Sequence, residues 1–377
     1  MSDSHALLNA SSAHRWLHCP PSVRASAGSA DVSSDAALQG TAAHVLTEYK
    51  LLRFLKRRAQ RPASRWIDEE MEGYTDDYVQ FVAEQIAAVR EHCSDPHVYV
   101  EQRLDYSHLA PGGFGTGDCV IVAEPTLHII DLKYGMGVEV SAAENPQLML
   151  YGLGALAAFD ALYDIREVSL SIFQPRRANV ETWTVPVGDL IAWGEQTVKP
   201  VAVLAASGGG EYRAGSWCQF CKIAATCRAR AEANLALAQH EFAPPAELTI
   251  DEIAGVLEKI PDLKAWASDV ESWALARAHS GTRIPGFKVV AGRSIRKYAN
   301  EAAVAEAAKS AGFTDIFDKR LIGITAMERL MGKKTFNQVL GSLVVKPEGK
   351  PTLVSESDKR PALRRVSAAA DFQPNKP

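Results

Sequence analysis

The sequence predicts an α/β protein: a mixed central sheet flanked by helices, followed by a mainly helical region. Three observations carry this expectation. Residues 119–122 (Cys-Val-Ile-Val) and 127–130 (Leu-His-Ile-Ile) form short runs around a Glu124-Pro125-Thr126 turn, and runs apolar on both faces belong in the middle of a covered sheet. Apolar stripes of helical period lie upstream, in the segments starting at Gly40 and Asp76. Further strand-like runs follow at 166–173 and 180–186, and strands mixed with helices in this way pack as layers.

The chain has 377 residues, enough for two domains, with 47% apolar and 23% charged residues as in an ordinary globular protein. No apolar run approaches the length of a membrane helix, and the start, MSDSHALLNASSAHRW, lacks a basic stretch followed by an apolar core. A cytoplasmic protein with no membrane partner is expected. The net charge of −4 gives no global case for nucleic acid, so any such case must rest on local patches.

Taken in order, residues 4–26 read as helical, with Ser11 and Ser12 as caps and with Cys19 fixed by Pro20 and Pro21, which end the helix. Residues 25–40 read as a loop. Gly40-Thr41 opens a helix whose stripe is Val45, Tyr49, Leu52 and Leu55, while His44 and Glu48 share another face. A basic run follows, Arg53, Lys56, Arg57, Arg58, Arg61 and Arg65. Such runs are most often solvated helix ends, but they also suit a phosphate backbone. Asp76 to His92 is a second amphipathic helix with Tyr78, Phe81, Val82, Ile86 and Val89 inward, and 97–104 alternates as a strand carrying Glu101. Asn145 caps a helix that starts with Pro146 and sets Gln147 and Tyr151 one turn apart. A helix is expected near 187–206, then a break at Ser207-Gly-Gly-Gly210.

After Pro244-Pro245 the character changes to an alanine-rich helix at 248–280, a strand-like piece from Gly286, and helices to about 340. Arg293, Arg296, Lys297 and Tyr298 form a second basic patch, and residues from 343 are polar and rich in Lys, Pro and Ser. The expected divisions are therefore 1–243, 244–342, and a partly disordered tail at 343–377.

The turn at 123–126 sets a register. If Val122 faces Leu127, then Asp118 faces Asp131, and opposed residues have Cβ atoms about 4.5–5.5 Å apart. Two such carboxylates repel unless a hard divalent cation lies between them. Lys133 shares the face of Asp131, because side chains alternate along a strand. An exposed charged pair on a solvated face is the bland alternative, and the apolar runs beside it weigh against that. A second metal signal is Cys218, Cys221 and Cys227, spaced C-x2-C-x5-C. Three clustered thiols suit a soft metal or an iron–sulfur cluster, and such a site wants four ligands. Cys19, Cys93 and Cys119 are available as the fourth, and Cys19 beside its prolines fits best.

His44 on an early helix, Gly-x-Gly-Asp ending at Asp118, Asp131-x-Lys133, and Gln147-x3-Tyr151 together resemble the RecB-type nucleases of the PD-(D/E)XK superfamily. One early cysteine with a later C-x2-C-x5-C set resembles their iron–sulfur branch, which includes the AddB nuclease domain and CRISPR-associated exonucleases. The segments ASSAHRWLHCPPSV and KPEGKPTLVSESDKRP look like a phage or prophage-encoded family of unknown function within that branch. The nuclease resemblance covers roughly residues 5–240. It implies a restriction-endonuclease-like core and a metal-dependent DNA exonuclease acting on single- or double-stranded ends in phage recombination, with a single-strand annealing protein as a partner by context. Mg²⁺ or Mn²⁺ would be held by His44, Asp118, Asp131 and the Leu132 carbonyl. Lys133 would orient or activate water, while Gln147 and Tyr151 position the phosphate or the lysine. Cys19, Cys218, Cys221 and Cys227 would bind a 4Fe–4S cluster. Asp131 stands where Glu is commoner, and Glu48 and Glu101 have only an outer place. The alternative is a catalytically degenerate nucleic-acid-binding or assembly protein with a structural zinc or iron–sulfur site, against which the intact Asp118, Asp131 and Lys133 argue.

Overall fold

The computed structural model describes residues 6–28, 34–238, 250–290, 300–310 and 324–344. A five-stranded sheet holds the strands in chain order: β1 (His97–Asp105), β2 (Phe114–Val122), β3 (Thr126–Leu132), β4 (Glu167–Gln174) and β5 (Asn179–Pro186). All neighbouring pairs are antiparallel except β3 and β4, which are parallel. A parallel pair needs a crossover, and the helix at Pro146–Phe159 supplies it.

Helices in chain order are α1 (Ala13–His18), α2 (Ser22–Ser26), α3 (Asp35–Phe54), α4 (Glu69–Arg90), α5 (Pro146–Phe159), α6 (Val187–Trp193), α7 (Lys199–Ser207), α8 (Arg228–Ala238), α9 (Ile250–His279), α10 (Glu301–Ser310), α11 (Ile324–Met331) and α12 (Lys333–Leu340). One core lies on the α5 side of the sheet, where Val120, Val122, Leu127 and Ile129 meet Leu148, Leu150, Tyr151 and Leu153. The other lies under α4, where Cys119, Ile121, Ile130 and Leu132 meet Tyr78, Val82 and Ile86. β2 and β3 are thus covered on both faces, as their doubly apolar runs require.

Several boundaries differ from the expected ones. The helix predicted from Gly40 starts at Asp35, because the Ser34 hydroxyl accepts the Ala37 N–H at 3.2 Å and caps it earlier. It stops at Phe54, so that of the basic run only Arg53 is helical, with Lys56 at φ 59° beyond it. The helix predicted from Asp76 starts at Glu69, capped by Asp68, whose carboxylate accepts the Met71 N–H at 2.8 Å. Residues 10–26 fold as a 3-10 turn and two short helices rather than one. The described part of the strand-like piece after Gly286 is not strand. Pro244-Pro245, the Arg293–Tyr298 patch and the tail from 345 lie outside the described residues.

The chain divides into two compact units, 1–284 and 285–377, where the sequence places breaks after 243 and 342. In the first unit the buried Arg230 of α8 pairs with Asp269 of α9, which attaches α9 to the preceding segment. In the second, α11 packs on α12. No described helix is long and apolar enough to cross a membrane.

Candidate active site

The β2–β3 ladder has the predicted register, Val122 opposite Leu127 and Cys119 opposite Ile130, and it ends one pair before Asp118 and Asp131. Both aspartates are buried, at 8% and 3% exposure. They therefore stand where the paired strands part, in surroundings that amplify charge. The Asp118 carboxylate is held by two groups: His44 Nδ1 lies 2.9 Å from Oδ1, and the Leu132 N–H donates to Oδ2 at 2.6 Å. Leu132 thus enters the site through its N–H. From behind, Tyr78 of α4 donates to the Ile130 carbonyl at 3.2 Å and fixes β3 beside Asp131.

Asp131 belongs to a second network. Lys133 Nζ is 2.9 Å from its Oδ2, and Gln147 Nε2 donates to its Oδ1 at 3.1 Å. Gln147 Oε1 accepts from Lys133 Nζ at 2.8 Å, and Gln147 Nε2 also donates to the Tyr151 hydroxyl at 3.2 Å. The Asn145 cap and Pro146 place Gln147 in the first turn of α5, and Tyr151 follows one turn later. Tyr151 comes so close to β2 that a Cβ at Gly115 would lie 2.5 Å from its ring. Gly115 is there because no larger residue admits the tyrosine.

Glu101 is the residue that sequence reasoning underplayed. It stands opposite Asp118 in the β1–β2 register, between Val100–Cys119 and Gln102–Gly117, with φ 51°. The alternation of β1 reverses there: Val98 and Val100 pack on the α4 side, yet Leu104 packs on the α5 side. A left-handed non-glycine residue costs about 1–3 kcal/mol and persists only where surroundings enforce it. His44, Glu101 and Asp118 each offer a ligand atom, all within 4.8 Å of one another. The sequence signal was an acid on the strand beside the hairpin; its backbone twist had none.

Electrostatics follow from this crowding. Burial and the Asp118 charge push the Glu101 carboxyl up to about 7, with Glu48 adding to the effect. Burial opposes charge on His44, but Asp118 overrides it and raises the imidazole to about 9. Burial raises the Asp131 carboxyl, against the pull of Lys133. Burial, with the Asp131 charge, keeps the Tyr151 phenol protonated. These residues suit a divalent cation. The donors are carboxylate oxygens and an imidazole, and Asp131 Oδ2 is buried and accepts no hydrogen bond despite its ion pair.

The second predicted cluster also comes together. Cys19, Cys218, Cys221 and Cys227 line one small cavity with Arg15, Ser22 and Trp217, and all four are free thiols. Burial raises the Cys218 thiol, a cost that metal coordination of the thiolate offsets. Cys119 lies inside β2 and Cys93 against α4, so neither lines that cavity. The basic run is only partly available, since Arg57 donates to the Val98 carbonyl at 2.8 Å and Arg61 pairs with Glu72. Arg53, Lys56 and Arg58 are exposed.

A family model described as "Protein of unknown function (DUF2800)" matches residues 5–361. A solved structure titled "Crystal structure of SSO0001" aligns over 59% of this chain and 85% of that chain, with 15% identity and a TM-score of 0.27. That likeness is too slight to carry an argument.

Proposed function

We propose that this chain, which belongs to the DUF2800 family of proteins of unknown function, is a metal-dependent deoxyribonuclease with a RecB/AddB-like PD-(D/E)XK core. It would act at DNA ends in phage recombination or DNA processing, in the cytoplasm of a bacterial host and beside a single-strand annealing protein. The observation that carries the reading is the Asp131–Lys133–Gln147 triangle next to the His44, Glu101 and Asp118 group. Buried acids beside a cation are what phosphodiester hydrolysis needs from a protein, because little covalent chemistry falls to it.

His44, Glu101, Asp118 and Asp131, with the Leu132 carbonyl, would hold Mg²⁺ or Mn²⁺, which when bound withdraws charge from a phosphate oxygen and eases the ionisation of water. The protein's own groups do the rest. Water oxygen bonds to phosphorus as one P–O ester bond breaks, and the proton that the attacking water gives up is balanced by the one that the departing oxygen takes. Negative charge grows on the phosphoryl oxygens, and Lys133 Nζ stabilises it. Gln147 Oε1 accepts a hydrogen bond from the Lys133 ammonium and so fixes the direction of its other N–H bonds. The Tyr151 hydroxyl, kept protonated, orients Gln147. Cys19, Cys218, Cys221 and Cys227 would bind a 4Fe–4S cluster that ties residue 19 to the segment after the sheet.

The test is digestion of end-labelled linear DNA by anaerobically purified protein with Mn²⁺. Asp118→Ala and Asp131→Ala should each slow it by about 10²-fold or more. Wild-type rates in both variants would remove the assignment.

A further inference from the structure

The loop at 134–145 leaves the site at Lys133 and returns to it at Gln147, and the bond between those two side chains closes its base at 2.8 Å. Its backbone is held from beneath with unusual thoroughness. Gln174, 2% exposed, donates to the Gly135 and Val138 carbonyls at 3.0 and 2.8 Å and accepts the Val140 N–H at 3.2 Å. Arg177 donates to the Met136 carbonyl at 2.8 Å, Asn179 to the Val140 carbonyl at 2.9 Å, and Glu181 accepts the Ala142 N–H at 3.1 Å. Phe173, next to Gln174, accepts the Lys133 N–H at 2.9 Å, so the same strand end supports both loop and lysine.

With these main-chain polar atoms turned inward, the loop exposes Met136 and Val138 and, beside them, the carboxylate of Glu139, which pairs with Arg177. Met136 is 56% and Val138 49% exposed, and Gly135 and Gly137 flank Met136, each with open space where a Cβ would stand. A well-held loop with an apolar tip is suited to contact an apolar surface without an ordering cost at the moment of binding. Its base is the Lys133–Gln147 bond, so the loop is anchored directly on the proposed site.

We propose that Met136 and Val138 form a wedge that stacks against the terminal base pair of duplex DNA and parts it as one strand enters the site. Methionine and valine-sized apolar groups insert between base steps at a cost of unstacking, and a nuclease that feeds one strand past buried acids must separate it from its complement. This rests on the nuclease reading, and the test separates the two.

Duplex DNA carrying a fluorescent adenine analogue at its end is mixed with the Asp118→Ala variant, which keeps the Lys133–Gln147 bond, alone or with Met136→Ser and Val138→Ser added. Fluorescence should rise with Asp118→Ala alone and stay low when the loop changes are added. With the acids and Lys133 intact, Met136→Ser/Val138→Ser should cut duplex DNA roughly tenfold more slowly than wild type, from the lost unstacking contact, while single-stranded DNA is cut at the same rate. An equal fluorescence rise with the loop changed, or equal slowing on both DNAs, overturns the wedge. Concentration-dependent self-association abolished by the loop change, with duplex cutting unaffected, would assign the tip to a second copy instead and also overturns it. Failure of unchanged protein to cut either DNA sinks the nuclease reading itself.

Discussion

At the residue scale the most telling position is Glu101. Its left-handed backbone brings a third ligand atom to His44 and Asp118, and the crowding holds two protons more firmly than ordinary groups would. Glu101 rises from 4.5 to about 7 and His44 from 6.5 to about 9. Each binds its proton more tightly when folded. Each therefore contributes stability that is full below its ordinary value and fades as pH rises through the folded value. Metal-free protein should lose the Glu101 part between about pH 4.5 and 7 and the His44 part between about 6.5 and 9. Tm measured against pH in chelator checks this: Glu101→Gln should flatten the lower window only. A slope untouched by the substitution contradicts it. The placement of Asp118, Asp131 and Lys133 side by side was legible because period-two alternation fixes faces and the turn fixes register. Glu101 was not, because a reversal of alternation leaves no mark in residue type.

At the element scale, α5 and β2 are pressed together around Tyr151. A Cβ at Gly115 would stand 2.5 Å from the tyrosine ring, whereas one at Gly135 meets nothing within 4 Å. Gly115→Ala should therefore cost roughly 1–3 kcal/mol through overpacking and displace the Tyr151–Gln147 pair, so that cleavage falls with Tm. Gly135→Ala should leave stability within about 0.5 kcal/mol of wild type, as for an uncrowded surface position. Equal effects from both would mean that the contact is not tight. Strands β1, β4 and β5 were read from sequence within about a residue, since apolar runs and turn residues specify them, whereas β2 begins at Phe114, well before its apolar run at 119–122. Helix starts were read late: Ser34 and Asp68 are caps whose polar neighbours hid them, and α4 gains a turn and more before its first apolar stripe.

At the scale of the whole molecule, the cysteine cavity joins residue 19 to residues 218–227 across the sheet's length of sequence. Sequence spacing exposed the three later thiols, and two prolines singled out the first. A cross-link over so long a stretch stabilises by restricting the unfolded chain, as metal sites coupled to folding do. Cys19→Ser should lose iron-dependent visible absorbance and lower Tm by several degrees; a full iron complement would place the fourth ligand elsewhere. The divisions of the chain were harder to read, because Arg230–Asp269 links α8 to α9 across a Pro-Pro pair that looked like a linker.

On the proposed reading, Lys133, poised between Asp131 and Gln147, is the group that makes this a phosphodiester-cleaving site. The most direct measurement is the single-turnover rate on end-labelled DNA at saturating Mn²⁺ for wild type and Lys133→Ala, with Mn²⁺ affinity determined for each by calorimetry. The account predicts a rate lower by about 10²-fold or more with metal affinity kept within a few-fold. Cleavage by Lys133→Ala at the wild-type rate would contradict it.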